Sequence, residues 1–290
     1  MRDPHSPTLR LRRLAAELKQ GREKQKLTVA QAGKALGWTA SKISKIETTE
    51  TRRIVPADLD RLMDLYEITD PQKREAMQAL ARDAKQRGWW TKYREVFGDQ
   101  ALPDFEAEAS VIRSFEGLVI PGLLQMPEYA RALFEGGRYT GVEDIERRVE
   151  ARMARREILT RFEPVHLRVV MDEAALRRLI GDAEVMAKQL RHLLYMAKLP
   201  NVDIQLLPFS AGSHAALVAP FSILEFPGHL DPPIVHVGTV TDSVFFEQPG
   251  DVERYSATFG DIQGAAISTA QSARFIAEVL NTLESGQSGQ

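Results

Sequence analysis

Residues 27–53, LTVAQAGKALGWTASKISKIETTETRR, read as two short helices joined at a glycine. Thr28 is a good N-cap, and Gln31 three residues later completes a T-x-x-Q capping box for a helix running to Leu36. Gly37 follows the last apolar residue, where the chain needs a residue that tolerates positive φ. Thr39 caps a second helix, Ala40 to about Thr48. In it Ile43 and Ile46 turn inward, while Ser41, Lys42 and Lys45 are free to turn outward.

Helical patterns continue on both sides. Leu11, Leu14, Ala15 and Leu18 recur at helical spacing within residues 8–26. Pro56 opens a helix with Leu59, Leu62, Met63 and Tyr66 on one face, and Pro suits a first helical turn. A fifth helix starts at Asp70-Pro71 and ends near Gly88. Residues 1–88 thus read as a small all-α bundle. A short helix, a tight glycine turn and a second helix with a polar N-terminal face is the geometry that seats a helix in a major groove.

Charge supports that reading. The 290 residues carry a net charge of −2, but residues 1–57 sum to +8 and the remainder to −10. A basic head on an acidic body suits a reader of duplex DNA with an appended domain. At 43% hydrophobic and 27% charged the chain has an ordinary globular composition. No apolar run approaches the roughly 20 residues of a membrane span. The charged N-terminus, MRDPHSPTLRLRR, does not read as a signal peptide. The absence of cysteine rules out disulfides, thiolate zinc sites and a Cys nucleophile. The expected location is the cytoplasm.

After residue 88 come Trp89, Trp90 and Tyr93, read as an aromatic linker or seam over 89–102 that needs burial. A platform for stacking nucleobases is the sharper alternative, but the repeated basic–aromatic spacing of single-strand binders is missing. Residues 103–283 then mix β-prone runs (110–120, 166–171, 202–208, 221–226, 234–238, 244–247) with helical ones (126–135, 142–159, 184–199, 251–265, 268–283). Short turns between the last three strands predict an antiparallel meander. The fold class is α+β: an N-terminal helical bundle followed by an α+β domain with a mixed, largely antiparallel sheet. The polar tail 284–290 reads as frayed.

The N-terminal segment resembles the phage-repressor-like, or xenobiotic-response-element, helix-turn-helix family. Leu27, Thr28, Gly37, Thr39, Ile43, Ser44, Ile46 and Glu47 stand in register with that pattern. Val29 replaces the usual phosphate-touching Gln, Gln31 stands for Glu, and Gly33 for a small Ala. The motifs GLVIPGLLQMPEYARALF, VMDEAALRR, LPNVDIQLLPFSAGSH and PFSILEF resemble the C-terminal domain that follows this helix-turn-helix in many actinobacterial regulators, a domain of unknown function numbered 5753. The resemblance implies a transcriptional regulator, a repressor rather than an activator, with a small companion protein encoded nearby. It also implies that Ala40, Ser41, Lys42 and Lys45 face base edges. Lys can donate to guanine, Ala can touch a thymine methyl, and Ser can serve either base. Arg52 and Arg53 suit phosphate contact, as does the N-terminus of the helix that Thr28 and Gln31 open. Thr39 completes the DNA-facing set.

In the second half, Arg113, Glu116, Gln125, Tyr129 and Glu247 are candidates for a ligand or partner pocket. Arg113 and Glu116 could equally pair with each other. Asp172-Glu173 read as helix-capping acids rather than a catalytic pair. Ser213-His214 with Asp203 offers hydrolase chemistry, but no G-x-S-x-G elbow accompanies it. The histidines lack metal-ligand spacing, and no Walker or G-x-G-x-x-G loop occurs. The leading expectation is a non-enzymatic regulator without metal or cofactor, binding double-stranded DNA as a homodimer. Its α+β domain would dimerise, sense a ligand or receive the companion. The rivals are an enzyme acting on a nucleotide with a DNA-binding head, and an antitoxin-like neutraliser of the companion.

Overall fold

A computed structural model describes residues 9–51, 54–83, 89–97, 102–137, 141–227, 232–239 and 243–287. The chain divides into two compact units, residues 1–105 and 106–290. The boundary read at residue 88 falls at the end of a stretch, 84–88, outside the described residues.

The first unit is built on α1 (Leu9–Lys24), α2 (Val29–Leu36), α3 (Ala40–Glu47), α4 (Pro56–Leu65) and α5 (Pro71–Asp83). Their apolar faces meet in one core that includes Leu14, Leu18, Leu36, Ile43, Ile46, Leu59, Leu62 and Tyr66. Burying each such side chain is worth about 1.5–3 kcal/mol, which is why short helices of marginal propensity hold together here. A turn of 3₁₀ helix over Trp89–Tyr93 and a short α6 (Arg94–Phe97) follow. Tyr93 is buried, with its ring edge-on to Phe97 at 6.4 Å.

Helix α7 (Leu102–Glu108), not expected from the pattern, leads into the second unit. The unit's sheet has the order β3-β2-β1-β4-β5-β6. The strands are β1 (Val111–Glu116), β2 (His166–Asp172), β3 (Val202–Leu207), β4 (Phe221–Glu225), β5 (Ile234–Gly238) and β6 (Ser243–Phe246). β1, β2 and β3 pair in parallel; β4, β5 and β6 form the expected antiparallel meander, joined to β1 through β4. The run expected over 110–120 stops as a strand at Glu116, before Gly117, and the chain leaves the sheet there.

The parallel pairs require helical crossovers. α8 (Pro127–Glu135) and α9 (Val142–Arg155) fill the connection from β1 to β2. α10 (Glu173–Arg177) and α11 (Ala183–Met196) fill that from β2 to β3. α12 (Pro249–Ala265) lays Phe259 and Ile262 against Phe115, Val170, Phe221 and Val235 on one face of the sheet. α13 (Thr269–Gln287) closes the unit against α11 and β3. No helix among the described residues is long and apolar enough to cross a membrane.

Candidate nucleic-acid interface and the polar clusters behind it

The elbow between α2 and α3 is fixed at three points. Thr28 and Gln31 form the capping box: the Gln31 amide donates to Thr28 Oγ1 at 3.2 Å, and the Thr28 amide to Gln31 Oε1 at 2.8 Å. Gly37 closes α2 at φ +69°, a left-handed conformation costly to other residues. Thr39 Oγ1 accepts from the Lys42 amide at 3.2 Å and starts α3. Gly33 supplies a fourth constraint. A Cβ there would stand 2.9 Å from the Trp38 carbonyl oxygen and 3.2 Å from the Ala40 nitrogen. Gly33 therefore permits a closer approach of α2 to the elbow than an alanine would.

α3 buries Ile43 and Ile46 and leaves Thr39, Ala40, Ser41, Ser44 and Lys45 exposed. Thr28 and Gln31 are exposed at the start of α2. Lys42 corrects the sequence reading, which left it free. Its Nζ lies 2.7 Å from Asp58 Oδ2 and 3.7 Å from the centre of the Trp38 ring. Trp38 precedes α3 and Asp58 lies in the first turn of α4, so both reach the side of α3 that carries Lys42. Arg52 and Arg53 lie outside the described residues.

One group that sets the angle of α3 escaped the sequence reading. Arg22, on α1, forms a two-pronged bond to Glu47 at the end of α3, with Nε–Oε1 2.8 Å and Nη2–Oε2 2.8 Å. Its Nη1 donates to the Leu27 carbonyl at 2.7 Å, just before α2. The Tyr66 hydroxyl donates to Glu47 Oε1 at 3.5 Å. Both ionic side chains are about nine-tenths buried. The Glu47 hydrogen bond raises the Arg22 pKa, against burial. Burial first, and then the Glu47 charge, raises that of Tyr66. One cation thus ties α1, the entry to α2 and the end of α3 together. The signal was present in the I-S-x-I-E ending at Glu47, but its partner stands 25 residues away.

The five pocket candidates of the second unit separate. Glu116, Gln125 and Tyr129 come together around the turn 117–125. The Tyr129 hydroxyl accepts from the Ile120 amide at 3.2 Å, and Gln125 Nε2 donates to the Ile120 carbonyl at 2.7 Å. Arg152 Nη1 donates to Gln125 Oε1 at 2.7 Å. Gln125 and Tyr129 are buried with their bonds made, which is the state of a structural plug. Glu116 is half-buried beside them. Desolvation pushes its carboxyl up to about 7, although Arg152 and Arg155 pull the other way. Arg155 is itself committed to Glu106, at 2.6 and 2.8 Å.

Arg113 is neither partner to Glu116 nor near this knot. Successive strand residues point to opposite faces, and Arg113 turns toward α12. There its Nε lies 2.7 Å from Glu225 and its Nη2 donates to Ser256 at 3.2 Å. Glu247 directly follows β6, which ends at Phe246. The hydrolase trio is also apart. Asp203 pairs with His166 at 2.9 Å, whereas the acid nearest His214 is Asp172, at 3.6 Å. The capping role read for Asp172 is present: its Oδ1 accepts from the Ala174 amide at 2.8 Å. Glu173 instead accepts from the Phe209 amide at 2.9 Å and pairs with Arg177.

A capped, exposed recognition-type helix on a five-helix core is the form of a helix-turn-helix domain, and residues 13–77 match the family model described as a helix-turn-helix domain. The chain is thereby of the class of DNA-binding regulators. Residues 99–278 match the model of a domain of unknown function (DUF5753), which covers more than half of the sequence, and the chain belongs to that family. No curated protein and no solved structure matches it.

Proposed function

We propose that the protein is a sequence-specific, non-enzymatic transcriptional repressor. α3 reads base edges through Ala40, Ser41 and Lys45, and Thr28 and Gln31 at the start of α2 approach the phosphate backbone. The observation that carries this reading is the pairing of an exposed polar face on α3 with a buried ionic clamp, Arg22–Glu47, that fixes the helix's angle. A helix held that firmly loses little conformational freedom on docking. Phosphate contacts would supply affinity and register, and the α3 side chains the choice of sequence.

The second unit, in this proposal, governs occupancy of DNA. Two copies held together would read half-sites about 34 Å apart. Of the regulatory inputs expected for this unit, a ligand is favoured over a companion protein by the cavity described below. The enzymatic rival is weakened where Asp203 and Glu173 are engaged with His166 and the Phe209 amide. The test is selection of bound fragments from the source genome by the purified chain. A shared sequence motif, lost when Ser41 and Lys45 are both replaced by Ala, is expected. Recovery of fragments without a common motif would defeat the sequence-specific reading.

A further inference from the structure

The parallel strands β1, β2 and β3 end at one edge of the sheet, where the antiparallel β4 begins. A cavity of about 560 Å³ opens at that edge. Its walls are the ends of these strands and the segments leaving them: residues 115–119 at the end of β1, Asp172 and Ala174 at the end of β2, and parts of 208–220 between β3 and β4. Ligands of open α/β sheets bind at this edge, where the departing loops diverge, and the volume falls within the roughly 300–1,000 Å³ of small-molecule sites.

The walls are largely apolar. Leu118, Phe209, Leu217 and Val218 line the cavity, and each is more than half exposed. They are four of the ten large hydrophobic residues left exposed among the described residues, and such concentration at one mouth marks a binding surface rather than scatter.

The cavity also has a polar group with unused capacity. Asp172 Oδ1 is spent on the α10 cap, while Oδ2 stands 3.6 Å from His214 Nε2, beyond hydrogen-bond range. The His214 side chain is 7% exposed, packs edge-on against Phe115 at 5.4 Å, and has no hydrogen-bond partner among the described residues on either ring nitrogen. Buried polar atoms left so are uncommon and costly. Among the described residues, no Lys or Arg lines the cavity. Glu116 contributes to its wall, but strand alternation turns that carboxylate to the opposite face, toward Arg152 and Arg155. The formal charge facing the cavity is therefore that of Asp172.

We propose that this cavity binds an organic amine with an apolar body. The ammonium group donates to Asp172 Oδ2 and, with a second N–H, to the neighbouring His214 nitrogen, while the body lies along Leu118, Phe209, Leu217 and Val218. An ammonium offers three donors and no acceptor, which suits two neighbouring acceptor atoms that cannot satisfy each other. A carboxylate would meet like charge, and a neutral apolar molecule would leave both groups unmet. The inference rests on the proposed ligand-regulated role of the second unit and assigns the ligand's chemistry.

Calorimetry on the full chain, with 4-phenylbutylamine, 4-phenylbutan-1-ol and 4-phenylbutyrate as matched probes, tests it. The amine should bind at least tenfold more tightly than the alcohol, and the acid should not bind. Asp172→Asn keeps a competent helix cap and should reduce the amine to the alcohol's affinity, with the thermal melt unchanged. Ala174→Phe should fill the cavity and abolish amine binding. Equal affinity for all three probes would mark an apolar slot for a partner's side chain and overturn the proposal. So would no binding at millimolar concentration, or an amine preference that survives Asp172→Asn. Titration of a selected genomic fragment with and without saturating amine separates the two readings. Unchanged DNA affinity would leave the amine site standing and remove its regulatory role.

Discussion

The two units place their polar residues in opposite ways. In the first, the proposed DNA-facing residues Thr28, Gln31, Thr39, Ala40, Ser41 and Lys45 lie on two adjacent short helices and their caps, and the core behind them packs apolar side chains around the buried Arg22–Glu47 pair. In the second, the polar groups gather from strand ends and loops far apart in sequence: Glu116 with Arg152 and Arg155, and Asp172 with His214. A surface helix can be read from its own spacing, whereas a site at strand ends depends on register. The ion pair is the exception that tests the first half of this contrast. Glu47→Ala should destabilise the first unit by about 3–5 kcal/mol, because Arg22 is left buried without its carboxylate. Hydrogen exchange of α1 and α3 amides in the full chain reads that loss directly. Replacing both residues, Arg22→Met with Glu47→Leu, should recover most of the stability. A loss below 1 kcal/mol from Glu47→Ala would mean that packing alone fixes α3.

Glu116 tests the other half. Its folded pKa, about 7, lies above the ordinary value of 4.5 because of desolvation. Its contribution is therefore complete below pH 4.5 and is lost as pH rises through 7. Glu116→Gln should stabilise the second unit by about 2 kcal/mol at pH 8, with the gain vanishing below pH 4.5. His192 and His236 work in the opposite direction. Burial first, then Arg156 and Arg155 respectively, hold them down to about 4. Their contribution is present above 6.5 and is lost as pH falls toward 4. In the Glu116→Gln protein the acid loss should accordingly steepen between pH 6.5 and 4.5. Urea titrations across that range measure both effects. A pH-independent difference would show that Glu116 is already solvated.

How much of this was legible follows from distance along the chain. Caps at Thr28 and Thr39, the glycine at 37 and the inward Ile43 and Ile46 are local, and the residues alone specify them. The strands of the second unit were legible as β-prone runs, and the meander from its short turns. Their order was not, because parallel pairing of β1, β2 and β3 depends on the helices that carry the chain between them. Without that order, the partner of Arg113 stayed open between Glu116 and a ligand, whereas the β1–β4 pairing brings it Glu225. His214 looked like a partner for Asp203, whereas the loop returns it to Asp172. Even on α3 the limit shows. Spacing marks Lys42 as outward, but Asp58, 16 residues on, holds its ammonium group.

Lys45 and Lys42 therefore divide what looked like one set. Lys45→Ala should weaken binding to the selected sequence by about 1–3 kcal/mol, with a smaller loss on scrambled duplex, as for a base contact. Equal losses on both duplexes would place Lys45 on phosphate instead.

Lys42→Ala should have the smallest effect, under about 1 kcal/mol on DNA affinity. Binding DNA through Lys42 requires giving up the ion pair with Asp58 and the Trp38 face, each worth about 0.2–1 kcal/mol in an exposed setting. What a DNA contact gains is largely offset by what it releases. Asp58→Ala removes the competitor and leaves Lys42 available to phosphate. It should tighten binding and steepen the salt dependence by about one unit in the log–log slope. The double replacement, Lys42→Ala with Asp58→Ala, should return both quantities to those of Lys42→Ala alone. Salt titrations of the four proteins on one duplex decide the matter. A Lys42→Ala loss as large as that of Lys45→Ala would show that the ion pair opens on the DNA without cost. The α3 face would then carry two readers, as its spacing alone suggests.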